Sequence, residues 1–296
     1  KGYTDSQLRD SGLVEINEKG SYDKFWNRVM YPIMDINNKV IGFGGRVLGD
    51  GKPKYLNSPE TKVFDKSRNL YGLNFARTSR SRSIILCEGY MDVIAMHQAG
   101  FQNAAASLGT AFTTGQASLI KRYFNKVILA YDSDGAGVKA ALRAIPICRQ
   151  AGLTARVLSL SPYKDPDEFI KNLGREAFLE RLENAENSFF FELRIMEREY
   201  DMNDPDARTL FYREMASKLL QFEDPLERGN YIEKAAEKYR ISVQNLTEQV
   251  NRAGLQADSR QRQEELKRQR ELKEQQERAA RRRQEANTQR EREFYA

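Results

Sequence analysis

Three short apolar runs in this chain each give way to carboxylates, and no other feature limits its possible folds as strongly. Ile84-Ile85-Leu86-Cys87 leads into Glu88, within Glu88-Gly89-Tyr90-Met91-Asp92. Val127-Ile128-Leu129-Ala130-Tyr131 leads into Asp132-Ser133-Asp134-Gly135. Ala155-Arg156-Val157-Leu158-Ser159-Leu160 is followed after a turn by Asp165-Pro166-Asp167. Helical stretches separate the runs: about Tyr90 to Ala99 ending at Gly100, one opening at Thr113-Thr114-Gly115-Gln116 with capping-box spacing, and about Ala136 to Gln150. Pro146 predicts a kink or break in the last of these. The resulting β-α-β-α-β-α-β order predicts a parallel sheet, whose strands' carboxyl ends share one ligand-binding edge. Glu88, Asp132, Asp134, Asp165 and Asp167 are then expected to converge there. Crowded carboxylates repel unless protonated or bridged by cations. An all-oxygen set without His or Cys suits Mg²⁺ or Mn²⁺ and predicts metal-dependent phosphoryl or nucleotidyl transfer. Asp92, four residues beyond Glu88, reads either as a supporting ligand or as a charge favoured near a helix N-terminus.

Composition narrows the setting. At 296 residues, with 40% hydrophobic and 30% charged side chains, the chain has room for two compact units plus appendages. No apolar run approaches a membrane span, and Lys1-Gly2-Tyr3-Thr4-Asp5 is not a signal peptide; without an initial Met it reads as an internal fragment or a processed product. Cys87 and Cys148 are far apart with no CxxC partner, which argues against a zinc site or a disulfide and for two small buried residues. The net charge of +6 is unevenly spread. Lys39 to Arg82 holds 10 basic against 3 acidic residues, and Leu255 to Ala296 holds 12 against 9, so the remaining body is acidic. A basic segment just upstream of acidic strand ends suits a polyanion held beside metal ions.

Residues 1–82 read as an α/β subdomain: a capped helix from Thr4 to Gly12, then strands Trp26 to Asp35 and Lys39 to Leu48 joined at Asn37-Asn38. Trp26, beside Phe25 and near Met30, reads as core. Gly42-Phe43-Gly44-Gly45-Arg46 lacks a following helix, so it predicts close backbone approach rather than a dinucleotide loop. Residues 83–167 form the catalytic βα domain and 168–254 a helical subdomain, with turns at Asp204-Pro205 and Asp224-Pro225. Residues 255–296 read as a charged helical or disordered linker, with Arg281-Arg282-Arg283 as surface charge. His97 reads as structural.

These motifs in combination resemble the Toprim domain of bacterial replicative DNA primases of the DnaG type. The resemblance rests on Glu88-Gly89-Tyr90-Met91-Asp92, Tyr131-Asp132-Ser133-Asp134-Gly135-Ala136-Gly137 and Lys164-Asp165-Pro166-Asp167. Upstream it takes in Arg28-Val29-Met30-Tyr31-Pro32-Ile33, the Gly42 to Arg46 run and Lys54-Tyr55-Leu56-Asn57-Ser58-Pro59-Glu60-Thr61. Phe64-Asp65-Lys66, Leu70-Tyr71-Gly72 and Ala106-Ser107-Leu108-Gly109-Thr110 extend it over about residues 1–250.

The resemblance implies an α/β fold with a Toprim-type parallel sheet, flanked by an N-terminal α/β subdomain and a C-terminal helical one. It implies a cytoplasmic enzyme of the replication fork that makes RNA primers from nucleoside triphosphates on single-stranded DNA with two divalent ions. Glu88, Asp132 and Asp134 would be its catalytic metal-binding acids, joined by Asp92, Asp165 and Asp167. Arg28, Arg46, Lys54 and Lys66 would contact template, primer or nucleotide phosphates. The pattern departs at Lys24 and Trp26, where such proteins commonly carry Arg. No zinc is expected, and the domain that engages the replicative helicase is expected to be absent. Competing readings are another Toprim nuclease or topoisomerase, a haloacid-dehalogenase-type phosphatase using Asp132 as nucleophile and Asp134 as acid, and a non-enzymatic scaffold for single-stranded DNA.

Overall fold

The computed structural model describes residues 2–18 and 20–294, with side chains up to Arg278; the Arg281-Arg282-Arg283 side chains lie outside the described residues. Two compact units divide at Glu192/Leu193. The first opens with α1 (Asp5–Ser11), closed at its start by a Thr4–Gln7 capping box and at its end by left-handed Gly12, as the sequence predicts. A hairpin follows, β1 (Val14–Asn17) and β2 (Gly20–Asp23). A three-stranded antiparallel sheet comes next, of β3 (Arg28–Met34), β4 (Val40–Val47) and β5 (Tyr55–Asn57) in that order. Its hairpin turns at Asn38 with φ 63°, a conformation Asn tolerates. After the short helix α2 (Leu73–Ala76) the chain enters the main sheet.

That sheet uses β6 (Ser83–Cys87), α3 (Tyr90–Gln98), β7 (Ala104–Ala106), α4 (Thr114–Lys121), β8 (Lys126–Leu129), α5 (Gly135–Gln150) and β9 (Thr154–Val157). The parallel strands lie in the order β9-β8-β6-β7. From β6 the chain moves to one side, to β7, and then crosses back to place β8 and β9 on the other. The reversal falls between β6 and β8, the point at which open α/β sheets form a crevice beyond their carboxyl ends. All-alanine β7 was not individually legible in the sequence: its side chains are fully buried, but they carry no strand-forming preference.

Helix α5 runs unbroken through Pro146, where a kink or break was expected. Its buried face of Ala141, Ala144, Ile145 and Cys148 offsets the hydrogen bond that the proline forgoes. Helix α6 (Pro166–Glu183) also belongs to the first unit. The sequence assigned it to the helical subdomain, yet its Phe169 and Phe178 are fully buried in one core with Val93, Met96 and Phe101 of the βα region. Strand β10 (Glu186–Asn187) pairs antiparallel with β9, and α7 (Ser188–Glu197) spans the division between the units.

The second unit contains α8 (Pro205–Leu219), α9 (Pro225–Tyr239) and α10 (Val243–Phe294). Asp204 and Asp224 cap α8 and α9, each followed by proline at the first helical position. Phe211, Met215, Leu219, Ile232, Leu246 and Val250 supply buried side chains. The tail, left open between helix and linker by its composition, continues α10 with exposed side chains as far as they are described. No described helix is long and apolar enough to cross a membrane.

Candidate active site

Glu88 follows β6 directly, and Asp132 stands three residues beyond β8, so the two acids flank the switch point. The Glu88 Oε1 atom accepts the Asp132 backbone N–H at 3.1 Å, fixing one strand end against the other. Asp134 caps α5: its Oδ1 accepts from the N–H groups of Ala136 (2.9 Å) and Gly137 (2.8 Å). The turn between strand and helix is tight enough that a Cβ on Gly137 would lie 2.0 Å from the Asp132 carbonyl oxygen, which accounts for a glycine there. Asp165 caps α6 through the Glu168 N–H at 2.8 Å, and Asp167 pairs with the Lys171 ammonium at 2.6 Å. Asp92, in the first turn of α3, accepts the Gly89 N–H at 3.1 Å and is only 8% exposed.

The charges of these groups act on one another. Burial, then the Asp165 and Asp132 charges, push the Asp92 carboxyl up to about 7, against the pull of the Gly89 N–H. Burial raises Glu88 as well, and Asp132 and Asp134 add to the effect. Burial raises Asp132 although Lys164, 3.8 Å from its Oδ2, works the other way. The expected acids are thus neighbours. Among the described residues, however, no three His, Cys, Asp or Glu groups stand close enough together to enclose one ion. Asp134 and Asp165 accept from helix N-termini and Asp167 pairs with a lysine, so these carboxylates have donors that offset their mutual repulsion.

The basic residues divide. Arg46 on β4 and Lys54 before β5 both approach the Tyr55 ring, at 5.8 and 6.0 Å from its centroid. Burial raises the Tyr55 hydroxyl pKa, Arg46 opposes it, and Tyr31, Asp92 and Asp165 add to the rise, so this ring lies within electrostatic reach of both the basic strand and the acids. Arg28 is used differently: its Nη1 donates to the carbonyls of Pro53 (2.8 Å), Gly45 (3.3 Å) and Lys54 (3.5 Å), fastening the loop that carries Lys54. At Lys66 it is the backbone that is engaged, its N–H by Glu60 and its carbonyl by Gln116.

Two site features went unread in the sequence, and one residue was misplaced. Tyr31, Tyr55 and Tyr71 gather around Tyr90 with centroids 5.7, 6.1 and 4.8 Å away, docking the antiparallel sheet onto α3. Gly44 makes this possible, since a Cβ there would lie 2.6 Å from the Tyr90 ring; close backbone approach was the expectation for this run. Lys164, which opens the Lys164-Asp165-Pro166-Asp167 run, is the cation beside Asp132. Trp26, expected in the core, is 77% exposed, while neighbouring Phe25 is buried. Cys87 and Cys148 are both buried, and His97 has a structural role, its Nε2 lying 3.0 Å from the Ala104 carbonyl oxygen.

Comparison with solved structures agrees with this arrangement. A DnaG primase catalytic domain solved with single-stranded DNA superposes with a TM-score of 0.73 at 37% identity, covering 82% of this chain and 79% of that one. The chain belongs to the DnaG-type DNA primase family. A primase domain from Pseudomonas aeruginosa matches with a TM-score of 0.72 at 35% identity, over 84% of this chain and 81% of that one. The DNA primase of Clostridium acetobutylicum is 45% identical over 245 residues, 82% of this chain and 41% of that protein. The chain spans about two fifths of the length of the curated primases it matches. Residues 1–77 match the N-terminal domain of the DNA primase catalytic core, and residues 85–170 match the Toprim-like family. Residues 191–244 match the DnaB-helicase binding domain of primase. This last match corrects the expectation that a helicase-interaction domain is absent. Its helices carry no chemistry-bearing motif, so the sequence showed only packed helices.

Proposed function

We propose that this chain is the catalytic core of a primase, joining ribonucleotides into short RNA primers on a single-stranded DNA template. The observation that supports this best is the pairing of a carboxylate cluster at the sheet's switch point with the Arg46–Tyr55–Lys54 face. The donor set fits divalent Mg²⁺ or Mn²⁺: every candidate ligand is a carboxylate oxygen, and Glu88, Asp92 and Asp132 carry raised pKa values that an added cation would relieve. On this reading Glu88, Asp132 and Asp134, which as placed do not enclose an ion, would hold one, with Asp92, Asp165 and Asp167 available to a second. When bound, such ions lower the pKa of a ribose 3′-hydroxyl and neutralise charge on the α-phosphate and departing pyrophosphate.

The protein's own groups do the positioning. Arg46 and Lys54 attract template and triphosphate phosphates, Lys66 extends that surface, and Arg28 holds the Lys54 loop in place. Lys164, 3.8 Å from Asp132, offsets part of the repulsion among the carboxylates. The helices over residues 191–244 would engage a replicative helicase at a cytoplasmic replication fork.

The phosphatase reading loses its footing because Asp132 follows the third parallel strand in chain order, not the first. Synthesis from labelled nucleoside triphosphates on single-stranded template is the decisive test. Template-dependent pyrophosphate release and oligoribonucleotide products are expected. DNA cleavage or strand passage without nucleotide incorporation would instead make this a Toprim nuclease or topoisomerase.

A further inference from the structure

The chain's one tryptophan stands in solvent at the end of its basic sheet. Both sides of Trp26 are fixed. Phe25 before it is buried, with its N–H donated to the Asp23 carboxylate at 2.8 Å, and a Cβ on Gly45 would touch its ring. Asn27 after it has φ 55° and exchanges hydrogen bonds with Leu48, accepting the Leu48 N–H while its side-chain amide donates to the Leu48 carbonyl. The backbone therefore holds the residue out of the core. None of the hydrogen bonds or ring contacts among the described residues engages the indole.

Its surroundings are cationic. Lys24 lies two residues before it and Arg28 two after. Arg28 binds the carbonyls of Pro53 and Lys54, which brings the loop bearing Lys52 and Lys54 to this end of the sheet. The acids in these stretches are Asp23, engaged by Phe25, and Asp50. A fixed, exposed aromatic ring among lysines and arginines has the composition of a platform for single-stranded nucleic acid: the cations follow the phosphates and the ring stacks on a base.

We infer that Trp26 is a base-stacking contact for the single-stranded template. This rests on the proposed primase function and adds to it an affinity component that is aromatic rather than ionic. Stacking has little sequence preference, because every base presents a π-face. It also releases no counterions, so its contribution does not fade with salt as phosphate contacts do.

Because no other tryptophan is present, the residue reports on itself. The intact chain is titrated with unlabelled oligothymidylate while tryptophan emission is followed, and with a fluorescein-labelled copy while anisotropy is followed. Quenching that saturates together with the anisotropy change is expected. Trp26→Ala should weaken binding about five- to 150-fold with an unchanged salt slope. Trp26→Tyr should retain most of the affinity, and Trp26→Arg should bind with a steeper slope, by about 0.7. Anisotropy binding with unaltered emission, or wild-type affinity in Trp26→Ala, overturns the inference and leaves the primase reading standing. Emission that shifts with protein concentration alone assigns the ring to a protein contact and also overturns it. Absence of DNA binding by anisotropy defeats the primase reading and this inference together.

Discussion

Asp92 shows how burial and neighbouring carboxylates act together on one side chain. Its carboxyl is raised from about 3.8 in an unfolded chain to about 7. The folded state therefore favours the neutral acid, and the stability it contributes is complete below about pH 4 and lost as pH rises through about 7. The full shift corresponds to on the order of 4 kcal/mol. In chelator, the protein should melt at lower temperature at pH 8 than at pH 5, and Asp92→Asn should flatten that difference. Equal melting at both pH values, or an unchanged slope in the variant, would contradict the assignment. Glu88→Gln should abolish primer synthesis while leaving the melting temperature equal or higher, because it removes a repulsive charge. A variant that unfolds would make Glu88 structural. Calorimetry should detect Mn²⁺ binding that weakens in Asp132→Asn and in Asp134→Asn; unchanged binding in the double variant would remove both from the metal site. The acids themselves were legible because motif spacing places them at strand ends. Their hydrogen bonds were not, since capping depends on dihedrals that only the folded turn reveals. Trp26 was misread because an apolar residue's burial depends on where a strand starts, and β3 begins two residues later, at Arg28.

At the scale of elements, the parallel βα order could be read directly from apolar runs and caps, whereas the strand order could not. Nothing local distinguishes β7 beside β6 from β8 beside β6; the crossover decides it. The junction between the antiparallel sheet and α3 was equally hidden, being made of Tyr31, Tyr55, Tyr71 and Tyr90 from distant stretches. Gly44 is the tightest point there, so Gly44→Ala should cost roughly 1–3 kcal/mol, measurable by denaturant melts of the first unit. Gly229 in α9 has open space where a Cβ would go, and Gly229→Ala should stabilise the second unit by roughly 0.5–1 kcal/mol. A neutral Gly44→Ala would show that the tyrosine cluster gives way easily.

For the molecule as a whole, the uneven charge has a measurable consequence. With 10 basic against 3 acidic residues between Lys39 and Arg82, binding to single-stranded DNA should weaken steeply with salt. Removing one of the cations proposed to contact phosphate, as in Lys54→Ala or Arg46→Ala, should lower the logarithmic slope by about 0.7, with Mn²⁺ binding unaffected. Wild-type slopes in both variants would place the template elsewhere. The helices matching the helicase-binding family had no such signature, because a docking surface made of ordinary helix faces has neither the charge nor the spacing that marks a catalytic acid.

The cap that Asp134 forms with two backbone amides also affects how the site meets a ligand. A surface aspartate samples several side-chain torsions and gives up that freedom when it is captured. Asp134 has already given it up on folding, so the cation binding proposed for it would cost little further rotational entropy. Lengthening it by one methylene, as in Asp134→Glu, preserves the charge but lets the carboxylate wander. The loss of affinity in such a variant would be a loss of order rather than of attraction.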